Sequence, residues 1–225
     1  MRHLAIGDIH GCLTALAALA DFVPFRPDDR LITLGDYVNR GPDVCGVLYW
    51  LMNWKRAHQL VPLRGNHELM MLAARDSRED FRRFLEVGGE ATLASYSPFG
   101  DRGRLVDVPD VHWDFLDGET LPYYETDTHF FVHANAYPDI PLEEQPDFML
   151  YWERFDDPPP HDNGKIMVCG HTSQRSGLPL NLGHAVCIDT RVYAKGWLTC
   201  LDVGTGRYWQ ANQQGETRIG QLDTL

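Results

Sequence analysis

The chain has 225 residues, 44% hydrophobic and 23% charged, a balance that excludes disorder, collagen and coiled coil as dominant states and suits one domain over residues 1–225. Its formal charge of −12, from 20 basic and 32 acidic residues, argues against nucleic acid or an anionic membrane as a partner. An anionic ligand must therefore find positive potential made locally.

Residues 3–8 read as a buried strand ending in Gly7-Asp8. Residues 12–22 carry Leu13, Leu16 and Leu19 at helical spacing. Residues 30–35 form a second apolar run that also ends in Gly-Asp, and 43–57 place Val47, Leu48 and Leu51 on one helical face. A third strand over 59–63 stops just before Gly65-Asn66-His67-Glu68, and residues 67–74 and 79–95 have helical patterns. This order predicts parallel strands with helices outside them. The C-terminal half differs: residues 128–133, 166–170, 185–189, 197–203 and 207–211 read as short strands, Asp202 to Gly206 as a hairpin turn, and 147–155 as a short helix. The expected class is α/β, a two-sheet β-sandwich flanked by helices. The five cysteines (Cys12, Cys45, Cys169, Cys187 and Cys200) form no CxxC pair, so reduced thiols are expected. No signal-peptide pattern follows Met1, and no apolar run approaches the ~20 residues of a membrane span. The expected location is cytoplasmic.

The polar residues carry the chemistry. Three successive strands stop at Gly7-Asp8-Ile9-His10-Gly11, Gly35-Asp36-Tyr37-Val38-Asn39-Arg40-Gly41 and Gly65-Asn66-His67-Glu68. Carboxyl ends of parallel strands share one edge, where ligands bind, so these clusters converge. His133 and His171 end two later strands. Carboxylate, amide and imidazole donors without thiolate suit manganese, iron or zinc. The count fits two ions sharing one carboxylate.

The motifs GDIHG, GDYVNRG, GNHE, VHAN and CGHT together resemble the calcineurin-like metallophosphoesterases, in particular their bacterial and phage phosphoprotein phosphatase branch. The resemblance implies two divalent ions, manganese first, with iron or zinc as alternatives. Asp8 and His10 would hold the first ion, Asp36 would bridge, and Asn66, His133 and His171 would hold the second. His67 would be the general acid beside Asn39. Arg40, Arg154 and Asn66 would bind the phosphate. A hydroxide activated by the two ions would attack phosphorus in line.

One departure bears on the substrate. Protein phosphatases of this type carry Asp where this chain has Asn39, and an amide cannot stabilise an imidazolium by charge. Related diadenosine tetraphosphate hydrolases also lack that Asp. The leading expectation is a phosphatase for phosphoserine and phosphothreonine in proteins, or for small phosphate esters. The alternatives are a dinucleoside polyphosphate hydrolase and a non-catalytic metal-binding interaction module. Specificity would lie in residues 75–128 and 156–163, and no feature of the sequence sets an oligomeric state. Arg191 and Tyr193 stand where relatives often have Gly after Thr190. They either reach the pocket mouth or, as the preferred reading, lie on a surface loop. Arg64 and Glu68 are expected to brace the loops, and Cys169 to be a buried inert thiol.

Overall fold

The computed structural model describes residues 1–97 and 103–223. In chain order its strands are β1 (His3–Ile6), β2 (Arg30–Thr33), β3 (Gln59–Pro62), β4 (Tyr123–Glu125), β5 (His129–Val132), β6 (Ile166–Cys169), β7 (Leu180–Asn181), β8 (Ala185–Cys187), β9 (Leu198–Asp202), β10 (Arg207–Ala211) and β11 (Thr217–Gln221). Its α-helices are α1 (Leu13–Phe22), α2 (Val44–Ala57), α3 (Asn66–Ala73), α4 (Arg78–Phe84), α5 (Glu90–Tyr96), α6 (Asp110–Asp114) and α7 (Asp147–Tyr151).

Two sheets form. One has the order β11-β10-β9-β1-β2-β3, and the other β4-β5-β6-β8-β7. Strands β1, β2 and β3 run parallel, with His3 opposite Arg30 and Arg30 opposite Gln59. In the second sheet β5, β6 and β8 run parallel. The parallel strands β1, β2, β5, β6 and β8 are largely buried, as their apolar sequences require, while β3 lies at a sheet edge with Gln59 exposed. Alternate residues then serve different layers. Leu4 and Ile6 of β1 pack with Leu16, Leu19, Val47, Leu48 and Leu51 of α1 and α2. Ala5 faces inward, in the layer where Ile32, Phe131, Val168, Val186 and Leu201 bring the two sheets together. On the far side Phe130, Val132, Met167 and Cys187 pack with Leu150 and Tyr151 of α7. The result is the two-sheet sandwich flanked by helices, with burial worth about 1.5–3 kcal/mol for each large apolar side chain. None of the described helices is long and apolar enough to cross a membrane.

Local chemistry sets the helix ends that matter for the site. Asp43 caps α2 by accepting from the Gly46 N–H at 2.7 Å, an interaction typically worth about 1 kcal/mol. Helix α3 starts at Asn66, where the Glu68 side chain accepts from the Gly65 N–H at 2.8 Å.

The helix expected over 79–95 is broken. Helices α4 and α5 are separated by a turn at Leu85–Gly89, in which Gly88 takes φ 101°. The Gly88 carbonyl accepts from the Arg40 N–H at 3.1 Å, so the break fixes the loop that carries Arg40. A Cβ at Gly88 would lie 2.8 Å from the Arg40 nitrogen. The helix expected over 147–155 ends at Tyr151. Gly88→Ala is expected to cost roughly 1–3 kcal/mol, because both the φ angle and the contact are unfavourable. The exposed neighbour change Glu86→Ala is expected to stay within about 0.5 kcal/mol. Urea unfolding midpoints of the two variants check this; equal midpoints refute it.

Candidate functional site

The loops leaving β1, β2, β3, β5 and β6 meet at one edge of the sandwich. Asp8 and His10 follow β1, and Asp36, Asn39 and Arg40 follow β2. Asn66 and His67 open α3, while His133 and His171 follow β5 and β6. Asp8, His10, Asp36, Asn39, Asn66, His67 and His133 are all buried. The backbone is strained there. His10, Asp36, Asn39, Arg40 and His171 have φ between 45° and 70°, and the only other described non-glycine residues with positive φ are Arg191 and Lys195. Such strain persists only where surrounding structure holds it, and it concentrates at functional sites.

Asp36 is the hub. Its Oδ2 lies 3.4 Å from His10 Nε2 and 3.8 Å from His67 Nε2, and its Oδ1 lies 3.4 Å from His133 Nε2. Two triads of possible ligands share it: His10, Asp36 and His67, and Asp8, Asp36 and His133, each with atoms within 4.8 Å of one another. Backbone carbonyls fix the imidazole tautomers. His10 Nδ1–H donates to Val38 O and His133 Nδ1–H to Leu34 O, both at 2.8 Å. Both Nε2 lone pairs therefore face the cluster.

These residues fit divalent cations on two observations. His133 Nε2 lies 3.0 Å from Asn66 Oδ1. Both atoms are acceptors in these states, and a cation beside them would satisfy both lone pairs. Burial also pushes the carboxyls of Asp8, Asp36, Glu68 and Asp189 upward, and the repulsion of neighbouring carboxylates adds to this at Asp8 and Asp36. Buried negative groups of this density call for compensating cations. Oxygen and imidazole donors suit manganese, iron or zinc. A Cβ at residue 170 would lie 2.1 Å from Asp8 Oδ1, so only glycine leaves that carboxylate room.

Asp8 clusters with His133, and His10 with His67. His171 stands beside the cluster rather than in either triad. Its backbone N–H donates to both Asp8 oxygens at 3.1 Å, while its Nε2 lies 3.1 Å from Trp152 O. Arg154 also lies away from the triads: its side chain is 74% exposed, 4.0 Å from Asp156. Arg40 is exposed at the rim, with Nη1 2.8 Å from His10 Nε2.

Asn39 presents its amide nitrogen, not its carbonyl, to His67. The Thr92 hydroxyl accepts from the Asn39 N–H and donates to Asn39 Oδ1, both at 2.8 Å. The amide nitrogen is left to donate to His67 Nδ1 at 2.8 Å. His67 then carries its proton on Nε2 as a neutral imidazole. Burial is the main cause that lowers its pKa in the same sense, and the Arg40 charge adds to it.

Other residues surround these. Glu68 is fully buried and accepts from the N–H groups of Asp36, Tyr37 and Gly65 at 2.8 Å and of Val38 at 3.3 Å. Arg64 braces the neighbouring turn through Thr120 Oγ1 at 2.8 Å and Asp117 O. Burial pushes the Cys169 thiol up, which leaves it unreactive. Tyr193 is not a surface-loop residue: its ring centre lies 4.4 Å from the Arg40 guanidinium carbon and 5.0 Å from the His10 ring. Thr92 and Tyr193 reach the site from far along the chain, without a sequence motif of their own.

Comparison with known proteins places this geometry in a family. Residues 1–191 match the model of the calcineurin-like phosphoesterases. Two similar curated proteins are symmetrical bis(5'-nucleosyl)-tetraphosphatases. That of Pseudomonas fluorescens (strain SBW25) is 34% identical over 146 residues, covering 64% of this chain and 46% of its own length. That of Pseudomonas putida (strain F1) is 43% identical over 142 residues, covering 61% and 43%. The chain thus spans less than half the length of these relatives. A solved structure of a candidate diadenosine tetraphosphatase superposes with TM-score 0.66 at 20% identity, covering 98% of this chain and 93% of its own. A Saccharomyces cerevisiae protein serine/threonine phosphatase superposes with TM-score 0.58 at 14% identity, covering 100% and 80%; at these identities the two show a shared fold. The sandwich, the strand-end cluster and the match over residues 1–191 lead to one conclusion: the chain belongs to the calcineurin-like phosphoesterases.

Proposed function

We propose that the protein is a metal-dependent hydrolase of dinucleoside polyphosphates that cleaves a P–O–P link. The observation that carries this reading is the orientation of Asn39 against His67. With an N–H donated to its Nδ1, His67 has no partner for a second ring proton. It serves as a neutral Nε2–H donor and a poor acid. A serine or threonine alkoxide leaving from a phosphoprotein needs a full proton. A nucleotide leaving through its terminal phosphate is stable as an anion near neutral pH and needs none. The similarity to symmetrical tetraphosphatases supports the same substrate class.

In this reading Asp8, His10, Asp36, Asn66 and His133 hold two divalent ions, manganese first, with His171 adjacent as a further donor. When bound, the ions supply Lewis-acid stabilisation of phosphoryl oxygens and a water acidic enough to attack near neutral pH. The remaining work belongs to the chain. Arg40 binds phosphate oxygens from the rim, with Asn66 beside it, and Arg154 stands further out for a distal phosphate. His67 donates a hydrogen bond at the leaving side. Glu68 keeps the Asp36–Val38 backbone fixed while charge develops. The phosphoprotein reading is second: it shares every one of these residues except the proton donor it needs. The non-catalytic module is third, and the buried, tautomer-fixed donor set weighs against it.

The manganese-loaded chain is expected to turn over diadenosine tetraphosphate at least roughly tenfold faster than a phosphoserine peptide. Asp36→Asn is expected to cost roughly 100-fold or more. Nucleotide release by chromatography and phosphate release from the peptide check both, and the opposite preference overturns the proposal. Asn39→Asp restores an acceptor for a second proton on His67. It is expected to raise turnover of phosphoserine roughly tenfold and to leave P–O–P cleavage near its starting rate. An equal change on both substrates rejects the role given to Asn39.

A further inference from the structure

We propose that Tyr193 is the positioning residue that holds the Arg40 guanidinium over the cluster, and that Asp189 holds the turn that carries it. The inference rests on the reading of Arg40 as the phosphate-binding residue and adds how that arginine is kept in place.

Arg40 has few partners for an exposed cation. It makes no ion pair with a carboxylate among the described residues, and its backbone is tied to Gly88 O. Its Nη1 faces the His10 Nε2 lone pair at 2.8 Å, and that lone pair is the one a divalent ion on His10 would take. The face of Tyr193 then remains, with the guanidinium carbon 4.4 Å from the ring centre. An arginine over an aromatic face gains electrostatic attraction from the ring quadrupole without giving up its donors. Those donors stay free for phosphate oxygens.

The ring is itself held at several points. Its plane stands at 85° to the His10 ring, with centroids 5.0 Å apart. Its hydroxyl lies 3.4 Å from Ser173 Oγ, and Ser173 donates to Asp189 Oδ2 at 2.6 Å. The other Asp189 oxygen accepts from the Arg191 N–H at 2.9 Å. The short turn Val192–Ala194 carrying Tyr193 is bracketed by Arg191 and Lys195, both at φ 64°, and Val192 anchors it in the core. Backbone strain at two non-glycine residues is unusual for a loop without a task. Asp189 is 1% exposed and carries none of the cluster contacts assigned above. Its two hydrogen bonds, one to the Tyr193 turn and one to Ser173, give it a place in the site.

The test compares Tyr193→Phe, which keeps the aromatic face, with Tyr193→Leu, which keeps apolar bulk and loses the quadrupole. Inorganic phosphate binding to the manganese-loaded full chain is measured by calorimetry, beside KM and kcat for diadenosine tetraphosphate. The Phe variant is expected to bind phosphate within about threefold of the parent. The Leu variant is expected to lose roughly 5- to 30-fold in phosphate affinity and in KM, with kcat changed by less than about threefold. A Leu variant that matches the Phe variant, or one that loses kcat at unchanged KM, overturns the proposal. If the Leu variant does not fold, a Phe variant that loses phosphate affinity as far as Arg40→Ala overturns it, and one that retains it supports it. A parent chain that binds phosphate no better than Arg40→Ala removes the phosphate-site reading itself, and the role of Tyr193 falls with it.

Discussion

A carboxylate surrounded by imidazoles and other carboxylates, out of contact with water, is among the costliest arrangements a fold can hold. Asp36 is in that position, and much of the local structure holds it there. Glu68, itself fully buried, spends its four acceptor positions on the N–H groups of Gly65, Asp36, Tyr37 and Val38. It thereby ties the loop after β2 to the first turn of α3. The His67 N–H donates to Asp36 Oδ1 at 3.1 Å from that same turn. Tyr37, fully buried behind Asp36, anchors the loop through Thr33 Oγ1 at 2.9 Å and through the Leu63 carbonyl. A loop pinned on both sides can keep Asp36, Asn39 and Arg40 at positive φ, and that conformation turns their side chains toward the histidines on neighbouring loops.

The same constraint bears on the proposed function, in which a chain of formal charge −12 would receive a phosphate. Under that proposal, cations held by the buried donors would reverse the sign of the cluster locally, and Arg40 would add to that field at the rim. Gly88, by breaking the α4–α5 run, supplies the carbonyl that holds the Arg40 backbone.

Much of this was legible before the structure. Strands β1, β2, β5, β6 and β8 are largely buried, so each reads as an apolar run ending at a polar residue that the loop then delivers to the site. Strands β4, β7 and β11 were illegible for the converse reason. They lie at sheet edges, β7 has two residues, and β11 exposes alternate positions of the sequence Thr-Arg-Ile-Gly-Gln. The break at Gly88 was hidden because the apolar positions of 79–95 keep helical spacing across it. The site's first layer could be read because Gly-Asp and Gly-Asn pairs mark sharp turns after strands. Its second layer could not. Tyr193 meets Arg40 from over a hundred and fifty residues away, and Thr92 meets Asn39 across 53. No local pattern encodes a contact of that span.

Asn39 illustrates the limit most clearly. Its identity is visible in the sequence, and its chemistry depends on which end of a nearly symmetric amide faces His67. In this structure Oδ1 accepts from the Thr92 hydroxyl and the amide nitrogen faces the ring. A carbonyl facing the ring would have accepted a proton on Nδ1 and allowed His67 to act as an imidazolium, if a weak one. An N–H facing the ring removes that state and leaves a donor that stays neutral. The ring is buried beside Arg40 and His10, so its surroundings push the same way as the hydrogen bond. Under the proposed function, a leaving group that needs a proton would meet one held on Nε2.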